Sequence, residues 1–313
     1  MLIRFWGVRG SLPSPILPSE VKAKIAAILE QMVPQDIADA ASRERFLAGL
    51  PPWLYGTVGG NSPCITVDLE GFNEPLIFDC GSGMREMGIA LNAENFVSSC
   101  YHIFFSHFHW DHLIGFPFFD PLYNASATIN FYSPKPRLEE WLLEMMKVPY
   151  FPVQLENLTA QKNFNLLEKP VSIGPATVAF RKMNHPGDSF SYMINHKGKR
   201  FIYATDVELS PSDFLPTEEN TGFFKDADVI VLDAQYTLDE AIDKYNWGHN
   251  AFSLAVDFAA NWGIRHLILF HHDPTYDDRK LYGMLQSARW YHQQMGFREM
   301  EISLAVEELE ISL

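Results

Sequence analysis

The feature that most constrains this chain is a run of metal-binding side chains placed directly after an apolar stretch. Residues 100–105, CYHIFF, are apolar and aromatic, which predicts a buried strand. The pattern His-x-His-x-Asp-His follows at once, with its ligand types at His107, His109, Asp111 and His112. Such a position is a turn just past a strand, where α/β proteins build their sites. The pattern predicts an α/β fold with mixed sheets and a metal site at this turn.

Imidazole nitrogens and carboxylate oxygens together suit zinc, manganese or iron. The motif offers more donors than one tetrahedral ion takes, so a pair of ions is the natural inference. The alternative is an exposed histidine-rich tract that merely buffers metal. Such a tract does not follow an apolar strand and lead into Leu113-Ile114-Gly115-Phe116. A structured metal site is therefore expected.

The motif resembles the signature of the metallo-β-lactamase-fold hydrolases, and the rest of the chain matches that family in order. The further matches lie in or after later predicted strands, at His185, Asp206 and His271. An upstream Asp-x-Gly turn, Asp79 to Gly81, also matches. The resemblance extends from Leu2 to about Asp278 and omits the segment near residues 12–56.

The resemblance implies a four-layer αβ/βα sandwich and a site for two divalent metal ions, with Zn²⁺ expected and Mn²⁺ or Fe as alternatives. By resemblance, the first ion is bound by His107, His109 and His185. The second is bound by Asp111, His112 and His271, and Asp206 bridges both. His272 is an adjacent rival for the last position. His271 is preferred because the family's last ligand comes directly after the strand.

A Gly-His turn that enters a predicted helix, at His249, resembles the phosphodiesterase branch of this family, which includes ribonuclease Z. In that branch the histidine contacts the scissile phosphate and assists departure of the alkoxide. The implied reaction is attack of a metal-bridging hydroxide on a phosphodiester, with Asp111 and His249 as the catalytic residues. The alternative for His249 is a histidine that only packs at the helix start. Asp233 is expected to orient a ligand histidine, or merely to cap its strand.

Several substrates remain open at this point. The first hypothesis is a small or cyclic nucleotide, a small anionic phosphodiester. The alternatives are RNA 3′-end processing of the ribonuclease Z type and hydrolysis of a thioester or lactam. A di-iron oxidoreductase on the same fold is a hypothesis of a different class, and a non-catalytic scaffold is another. A net charge of −15 argues against bulk nucleic acid as a partner.

The segment 13–55 departs from the family scheme and shows helical spacing in two pieces, which Pro34 separates. It is interpreted as a helical insertion within a single domain, 1–313. Packing or dimerisation is the favoured role of the insertion, and a lid over the active site is the alternative. A homodimer is accordingly one assembly to test.

The three cysteines are isolated and odd in number, which favours a reducing compartment. No signal peptide or membrane-spanning run is evident, so a cytoplasmic protein without a membrane partner is expected. Three smaller expectations concern single side chains. Asp79 supports the ligand loop or only shapes its own turn, Asn250 caps a helix, and Arg181 or Lys182 neutralises a phosphate.

The remaining pattern predicts strands and helices in alternation. Strands are predicted over 2–8, 62–69, 75–79, 101–106, 127–132, 171–182, 190–195, 200–205, 229–233 and 264–270. Helices are predicted over 137–147, 250–261 and 278–295, and one or two strands over 298–312.

Overall fold

Alternating and continuous apolar segments build two mixed sheets in the computed structural model, which describes residues 1–93 and 98–313. The first sheet contains β1 (Leu2–Gly7), β2 (Cys64–Leu69), β3 (Phe72–Phe78), β4 (Cys100–Phe104), β5 (Thr128–Ser133), β6 (Gln161–Leu166) and β14 (Glu310–Ser312). Its strand order is β14-β1-β2-β3-β4-β5-β6. Strands β3 to β6 are parallel, so their carboxyl ends lie at one edge of the sheet.

The second sheet repeats this arrangement with the later part of the chain. It contains β7 (Val171–Ile173), β8 (Ala176–Met183), β9 (Ser189–His196), β10 (Lys199–Ala204), β11 (Val229–Asp233), β12 (His266–Phe270) and β13 (Glu301–Leu304). The order is β13-β12-β11-β10-β9-β8-β7, and β10 to β13 are parallel. In both sheets, the loops that follow the parallel strands carry polar side chains.

The helices are α1 (Pro18–Gln31), α2 (Ala40–Gly49), α3 (Pro52–Tyr55), α4 (Gly83–Ala93), α5 (Leu138–Met145), α6 (Glu218–Phe224), α7 (Leu238–Asp243), α8 (Phe252–Asn261) and α9 (Asp278–Met295). One apolar core lies between the two sheets and contains Phe78, Phe104 and Tyr203. A second core joins the first sheet to α4 and α5, and a third joins the other sheet to α6, α8 and α9. The layers are helix, sheet, sheet, helix, which confirms the predicted four-layer sandwich.

The N-terminal insertion is helical, and it buries few of its apolar side chains. Helices α1 and α2 contain no buried residue, and Ile25 and Leu29 are exposed. Pro34 begins a short 3₁₀ turn between them, as its fixed φ and missing N–H favour. The short helix α3 contacts α9 and buries Leu54. Among the described residues, no helix has the length and apolar character needed to cross a membrane.

Local patterns misjudged some elements. The segment predicted as one strand over 171–182 is a hairpin of β7 and β8 that turns at Gly174, where φ is 50°. The prediction of one or two strands over 298–312 is confirmed: the segment forms two, and they join different sheets because β13 pairs with β12 and β14 with β1. The helices α4, α6 and α7 and the edge strand β6 were not predicted. The segments of α6, α7 and β6 are short and carry a weak periodic signal, whereas α4 has helical apolar spacing at Met84, Met87 and Leu91 and was simply missed.

Candidate metal centre and cleft

The motif after β4 becomes a tight turn at the carboxyl end of the parallel block. His107 follows the strand, and a 3₁₀ turn over Trp110–His112 brings Asp111 and His112 inward. Both of these side chains and His107 are buried, whereas Trp110 is 86% exposed. The turn therefore separates three inward polar groups from one outward indole.

Four donor atoms from three loops meet in a first group, formed by His107, His109, His185 and Asp206. The Nδ1 atom of His109 lies 3.2 Å from His185 Nε2. Asp206 Oδ1 lies 3.6 Å from His107 Nε2 and 3.8 Å from His185 Nε2. His185 comes from the loop after β8 and Asp206 from the loop after β10. The geometry thus brings together the residues that the resemblance assigns to the first ion.

A second group forms around the other oxygen of the same aspartate. Asp206 Oδ2 lies 3.1 Å from His112 Nε2 and 3.3 Å from His271 Nε2. Asp111 Oδ2 lies 3.2 Å from His112 Nε2 and 3.3 Å from His271 Nε2. Each oxygen of Asp206 therefore faces one group, as a carboxylate between two cations requires.

The imidazole rings are held by hydrogen bonds on their far nitrogens. His112 Nδ1 donates to Asp79 Oδ2 at 2.8 Å, and His185 Nδ1 donates to the Gly248 carbonyl at 2.9 Å. His107 Nδ1 lies 3.1 Å from Ser106 Oγ, which itself donates to Asp79. These bonds aim Nε2 of each ring into the site. Asp79 thus supports the ligand loop in the way that the first of its two interpretations expected.

The electrostatics of the site differ between its histidines. Burial lowers the pKa of His107, His109 and His185 below the ordinary value. Burial also lowers the pKa of His112, but the Asp111 and Asp206 carboxylates outweigh it and hold that pKa well above its ordinary value, so this ring must lose a proton to bind metal. Burial raises the pKa of Asp111 and Asp206, but the neighbouring imidazoles outweigh it and the pKa of each carboxyl lies well below its usual range. Neutral nitrogen and anionic oxygen are the forms that bind metal.

The donor set fits two divalent cations. The Nε2 atoms of His107 and His112 are buried and have no hydrogen-bond partner among the described residues. A buried, unpaired ring nitrogen is costly unless something else satisfies it. Four buried carboxylates, those of Asp79, Asp111, Asp206 and Asp233, also lie close to histidine rings of the site. A pair of cations would satisfy the nitrogens and offset the negative charge.

His249 lies beside both groups, at the loop that enters α8. Its Nδ1 donates to Asp233 Oδ2 at 2.7 Å, and its ring stacks on that of His271 at 4.9 Å. Burial lowers the pKa of His249, but the Asp233 carboxylate outweighs it, so the pKa lies above its ordinary value. Asp233 therefore orients His249 directly, and its Oδ2 lies 3.6 Å from His271 Nδ1.

A cleft of about 390 Å³ opens onto these residues. It is lined by Ser11, Phe108, His109, Trp110, Asp111, Asp206, His249 and His271. Ser11 was not predicted as a site residue. Its backbone N–H donates to Asp111 Oδ2 at 2.8 Å, so the loop after β1 holds the carboxylate in place. A lone serine after a strand carries no sequence signal for this role.

Asp79 and two of the donor residues, Asp206 and His271, have strained backbone. Asp79, Asp206 and His271 have φ of 60°, 53° and 62°, in the left-handed region that non-glycine residues rarely adopt. Each lies just past a parallel strand, and left-handed residues of this kind cost free energy that the surrounding contacts must supply. The strain turns each side chain towards the site.

Other predicted residues lie elsewhere. His272 Nε2 donates to the Ala305 carbonyl at 2.8 Å, so this ring faces β13 and away from the ligand groups. The prediction that Asn250 caps a helix is wrong, because α8 has Ala251 as its N-cap residue and Asn250 Oδ1 accepts from Leu209. A backbone amide in the neighbouring loop satisfies this side chain instead.

The two basic residues before His185 also have partners outside the cleft. Lys182 pairs with Asp188 at 2.7 Å, and Arg181 pairs with Asp213 at 3.3 Å. Neither lines the cleft. The expectation that one of them neutralises a substrate phosphate is therefore not supported by their positions.

Comparisons with known proteins identify the family. The profile of the family described as the beta-lactamase superfamily domain matches residues 76–272, which include the loops of both donor groups. Ribonuclease Z of Sulfurisphaera tokodaii is 26% identical over 283 residues, covering 76% of this chain and 92% of that protein. Ribonuclease Z 1 of Schizosaccharomyces pombe is 25% identical over 285 residues, covering 81% of this chain. This chain spans only 33% of the length of the fission yeast protein.

The fold is also shared with a solved structure of low sequence identity. The metallo-beta-lactamase fold protein YhfI from Bacillus subtilis superposes with a TM-score of 0.65 at 15% identity. The match covers 99% of each chain. It shows that the two-sheet architecture, with its helices outside, is the same in both proteins.

Proposed function

The chain belongs to the beta-lactamase superfamily and is a metal-dependent hydrolase, and on that premise we propose that it cleaves phosphodiester bonds of small nucleotides with two divalent metal ions. The observation that carries the proposal is the arrangement of His249 beside the two donor groups that share Asp206. A hydrolase of activated substrates has no need of a half-buried, carboxylate-held imidazole at this point. A poor alkoxide leaving group does need a proton donor.

The proposed ligands of the first ion are His107, His109 and His185, and those of the second are Asp111, His112 and His271. Asp206 is proposed to bridge the two. When bound, the ions supply a deprotonated water as nucleophile and stabilise charge on the phosphate oxygens. Zn²⁺ is the proposed metal, because the donors are nitrogen and oxygen and the sites are compact; Mn²⁺ or Fe would use the same donors.

His249 is proposed to give its proton to the leaving oxygen. Its Nδ1 is taken by Asp233, so Nε2 is the nitrogen that can meet a substrate in the cleft. Asp233 stabilises the imidazolium before transfer and holds the tautomer afterwards. Bound cations act against the imidazolium, and the carboxylate offsets that effect.

Small nucleotides are proposed over long RNA because the cleft is compact and the chain is acidic. The cleft of about 390 Å³ suits a ligand of drug-like size, and no lysine or arginine lines it. A net charge of −15 disfavours a long polyanion. The second candidate, RNA 3′-end processing, is favoured by relatives such as the two ribonucleases Z described above. This reaction would require the same dimetal chemistry with the 3′ end of an RNA strand in the cleft.

The insertion, residues 13–55, is proposed to act in packing or as an interface between copies, within a single domain. Of the described residues that line the cleft, none comes from this segment, which disfavours the lid. Exposed side chains along α1, including Val21, Ile25 and Leu29, offer an apolar surface.

The substrate class is tested with a panel assayed on Zn- or Mn-loaded protein. The panel contains 3′,5′- and 2′,3′-cyclic nucleotides and a hairpin RNA with a 3′ extension, and Asp111→Ala serves as the blank. Turnover of the cyclic nucleotides that the blank lacks supports the proposal. Turnover of the RNA alone supports the second candidate. Turnover of neither, with both ions bound, contradicts the phosphodiesterase assignment.

The role of His249 is tested with leaving groups of different basicity. We expect His249→Ala to retain both ions and to lose about 10²–10⁴-fold in kcat for an alkoxide leaving group. With an aryl leaving group, which departs without a proton, the loss should be much smaller. His292→Ala, on the exposed end of α9, is the matched control and should behave as wild type. Equal losses for both leaving groups would rule out proton donation by His249.

A further inference from the structure

A second cluster of metal-binding side chains lies at the opposite edge of the first sheet from the cleft. It consists of Glu74, Cys100 and His102, whose donor atoms all lie within 4.8 Å of one another. Cys100 and His102 are two apart on β4 and so share a face. Leu76 pairs with His102 in the parallel register, and stepping back two residues places Glu74 beside Cys100. The three side chains therefore converge through ordinary strand geometry.

We propose that Glu74, Cys100 and His102 bind one zinc ion, with the fourth coordination position open to water. Thiolate, imidazole and carboxylate are the donors that zinc takes in proteins. This site shares no residue with the cleft, and it does not depend on the function proposed above.

The distances are close to those of a tetrahedral site. His102 Nε2 lies 3.8 Å from Cys100 Sγ and 2.7 Å from Glu74 Oε2. Zinc bond lengths of about 2.3 Å to sulfur and 2.0 Å to nitrogen or oxygen put these pairs at about 3.6 and 3.3 Å. The His102–Glu74 pair must therefore open by about half an ångström, and the Cys100 and Glu74 donor atoms lie within 4.8 Å of each other. The Glu74 side chain is 37% exposed, so it has room to move.

The surroundings hold each donor as metal ligands are usually held. His102 Nδ1 lies 3.0 Å from the Tyr132 hydroxyl, and this contact fixes the ring with Nε2 towards the cluster. Asn130 Nδ2 donates to Cys100 Sγ at 3.1 Å, a bond that a thiolate accepts more strongly than a thiol. Asn163 in turn donates to Asn130 Oδ1 at 2.9 Å and fixes the direction of that amide. A simple ion pair between His102 and Glu74 would not require a neighbouring thiol held in place by Asn130.

Binding requires a definite proton balance. The Cys100 thiol releases its proton to solvent as the Zn–S bond forms. The neutral His102 ring releases its proton from Nε2 to solvent and takes one from solvent at Nδ1, so the ring stays neutral and its Nδ1–H donates a hydrogen bond to the Tyr132 hydroxyl oxygen. Glu74 stays ionised and exchanges its hydrogen bond for a metal bond. No redox step is involved.

Cobalt reports on the site selectively, because only a thiolate ligand gives the sulfur-to-Co²⁺ charge-transfer band in the near ultraviolet. The proposed ligands in the cleft are histidine and aspartate, and Cys64 and Cys80 are fully buried in the apolar core. Titrating metal-free protein with Co²⁺ should produce this band with the amplitude of one Co²⁺–thiolate centre per chain, beside the two ions that the cleft is proposed to take. Cys100→Ser should abolish it, and Glu74→Gln should weaken binding about 10-fold or more.

Two controls separate this site from the cleft and from misfolding. Asp111→Ala should keep the band, because it alters only the proposed dimetal site, and so should Cys64→Ala. In the wild-type protein, Zn²⁺ should slow alkylation of Cys100 by iodoacetamide at least 10-fold, read by peptide mass spectrometry. This second measurement stands even if Cys100→Ser fails to fold. No band in wild type, a band that survives Cys100→Ser, or alkylation unaffected by Zn²⁺ would overturn the proposal.

Discussion

Replacing Asp79 with Asn gives the sharpest test of how the cleft is organised. Asp79 is fully buried, and its Oδ2 accepts from His112 Nδ1 at 2.8 Å, Tyr203 Oη at 2.8 Å and Ser106 Oγ at 2.6 Å. Its Oδ1 accepts from the Ser106 backbone at 2.7 Å. An amide has one accepting oxygen, so either the His112 ring or the Ser106 backbone must face an NH₂ group.

The expected magnitude follows from the tautomer of His112. Without the carboxylate, the proton of His112 moves to Nε2, the nitrogen that faces Asp111 and Asp206. Losing such a support costs about 10–100-fold in metal affinity, or about 1.4–2.8 kcal/mol. In the ion-free protein the loss is partly offset, because one of four clustered carboxylates is removed. We therefore expect the melting temperature of the loaded protein to fall more than that of the ion-free protein.

The assay is competition with a chelator of known affinity, followed by metal counting and by thermal melting of both forms. Tyr203→Phe is the matched control, because it removes one donor to the same oxygen and leaves the His112 bond in place. It should change metal affinity by less than about 3-fold, because this bond does not set the tautomer of His112 and its loss affects the loaded and the ion-free protein alike. Wild-type affinity in Asp79→Asn, or an equal loss in Tyr203→Phe, would refute the reasoning.

Three further substitutions test the loops and the core around the site. In Gly10→Ala the new methyl would lie 2.5 Å from His271 Cε1, so we expect loss of the second ion in a metal count; full occupancy would show that the loop yields instead. Gly283→Ala, in α9 with nothing within 4 Å, should raise the free energy of unfolding by about 0.5–1 kcal/mol in urea, and a decrease would contradict the helix-propensity argument. In the wild type the Val58 amide donates to Asp278 at 2.8 Å, so Asp278→Ala leaves this amide without its acceptor. The free energy of unfolding should fall by about 1–3 kcal/mol; an unchanged urea midpoint would mean that water replaces the carboxylate.

The sequence predicted the site better than it predicted the elements around it. Metal-binding residue types are rare in combination, so a dense motif after an apolar strand stands out from composition alone. The residues assigned by resemblance do converge in the structure, while their roles as ligands remain predictions. The edge strand β6 was missed because the pattern of such a strand is set by neighbours distant in sequence.

Adjacent residues show where local reasoning stops. His271 and His272 are equivalent in composition and differ only by one step after β12. In a strand, successive side chains point to opposite sides of the sheet. Just past β12, the left-handed φ of 62° at His271 turns its ring to the cleft, whereas His272 donates to the Ala305 carbonyl. Resemblance preferred His271, but the hydrogen bonds are what separate the two.

By itself, the sequence determined the chemistry that this protein has available: a histidine and aspartate set for divalent metal, placed at strand ends of an α/β chain. Only the tertiary structure decided which atoms face one another. The two oxygens of Asp206 face different donor groups. The bond from Ser11 to Asp111 and the pairing of His249 with Asp233 join residues that are 100 and 16 positions apart. Side-chain direction depends on register, backbone φ and hydrogen-bond partners, and these are settled only when the two sheets pack against each other.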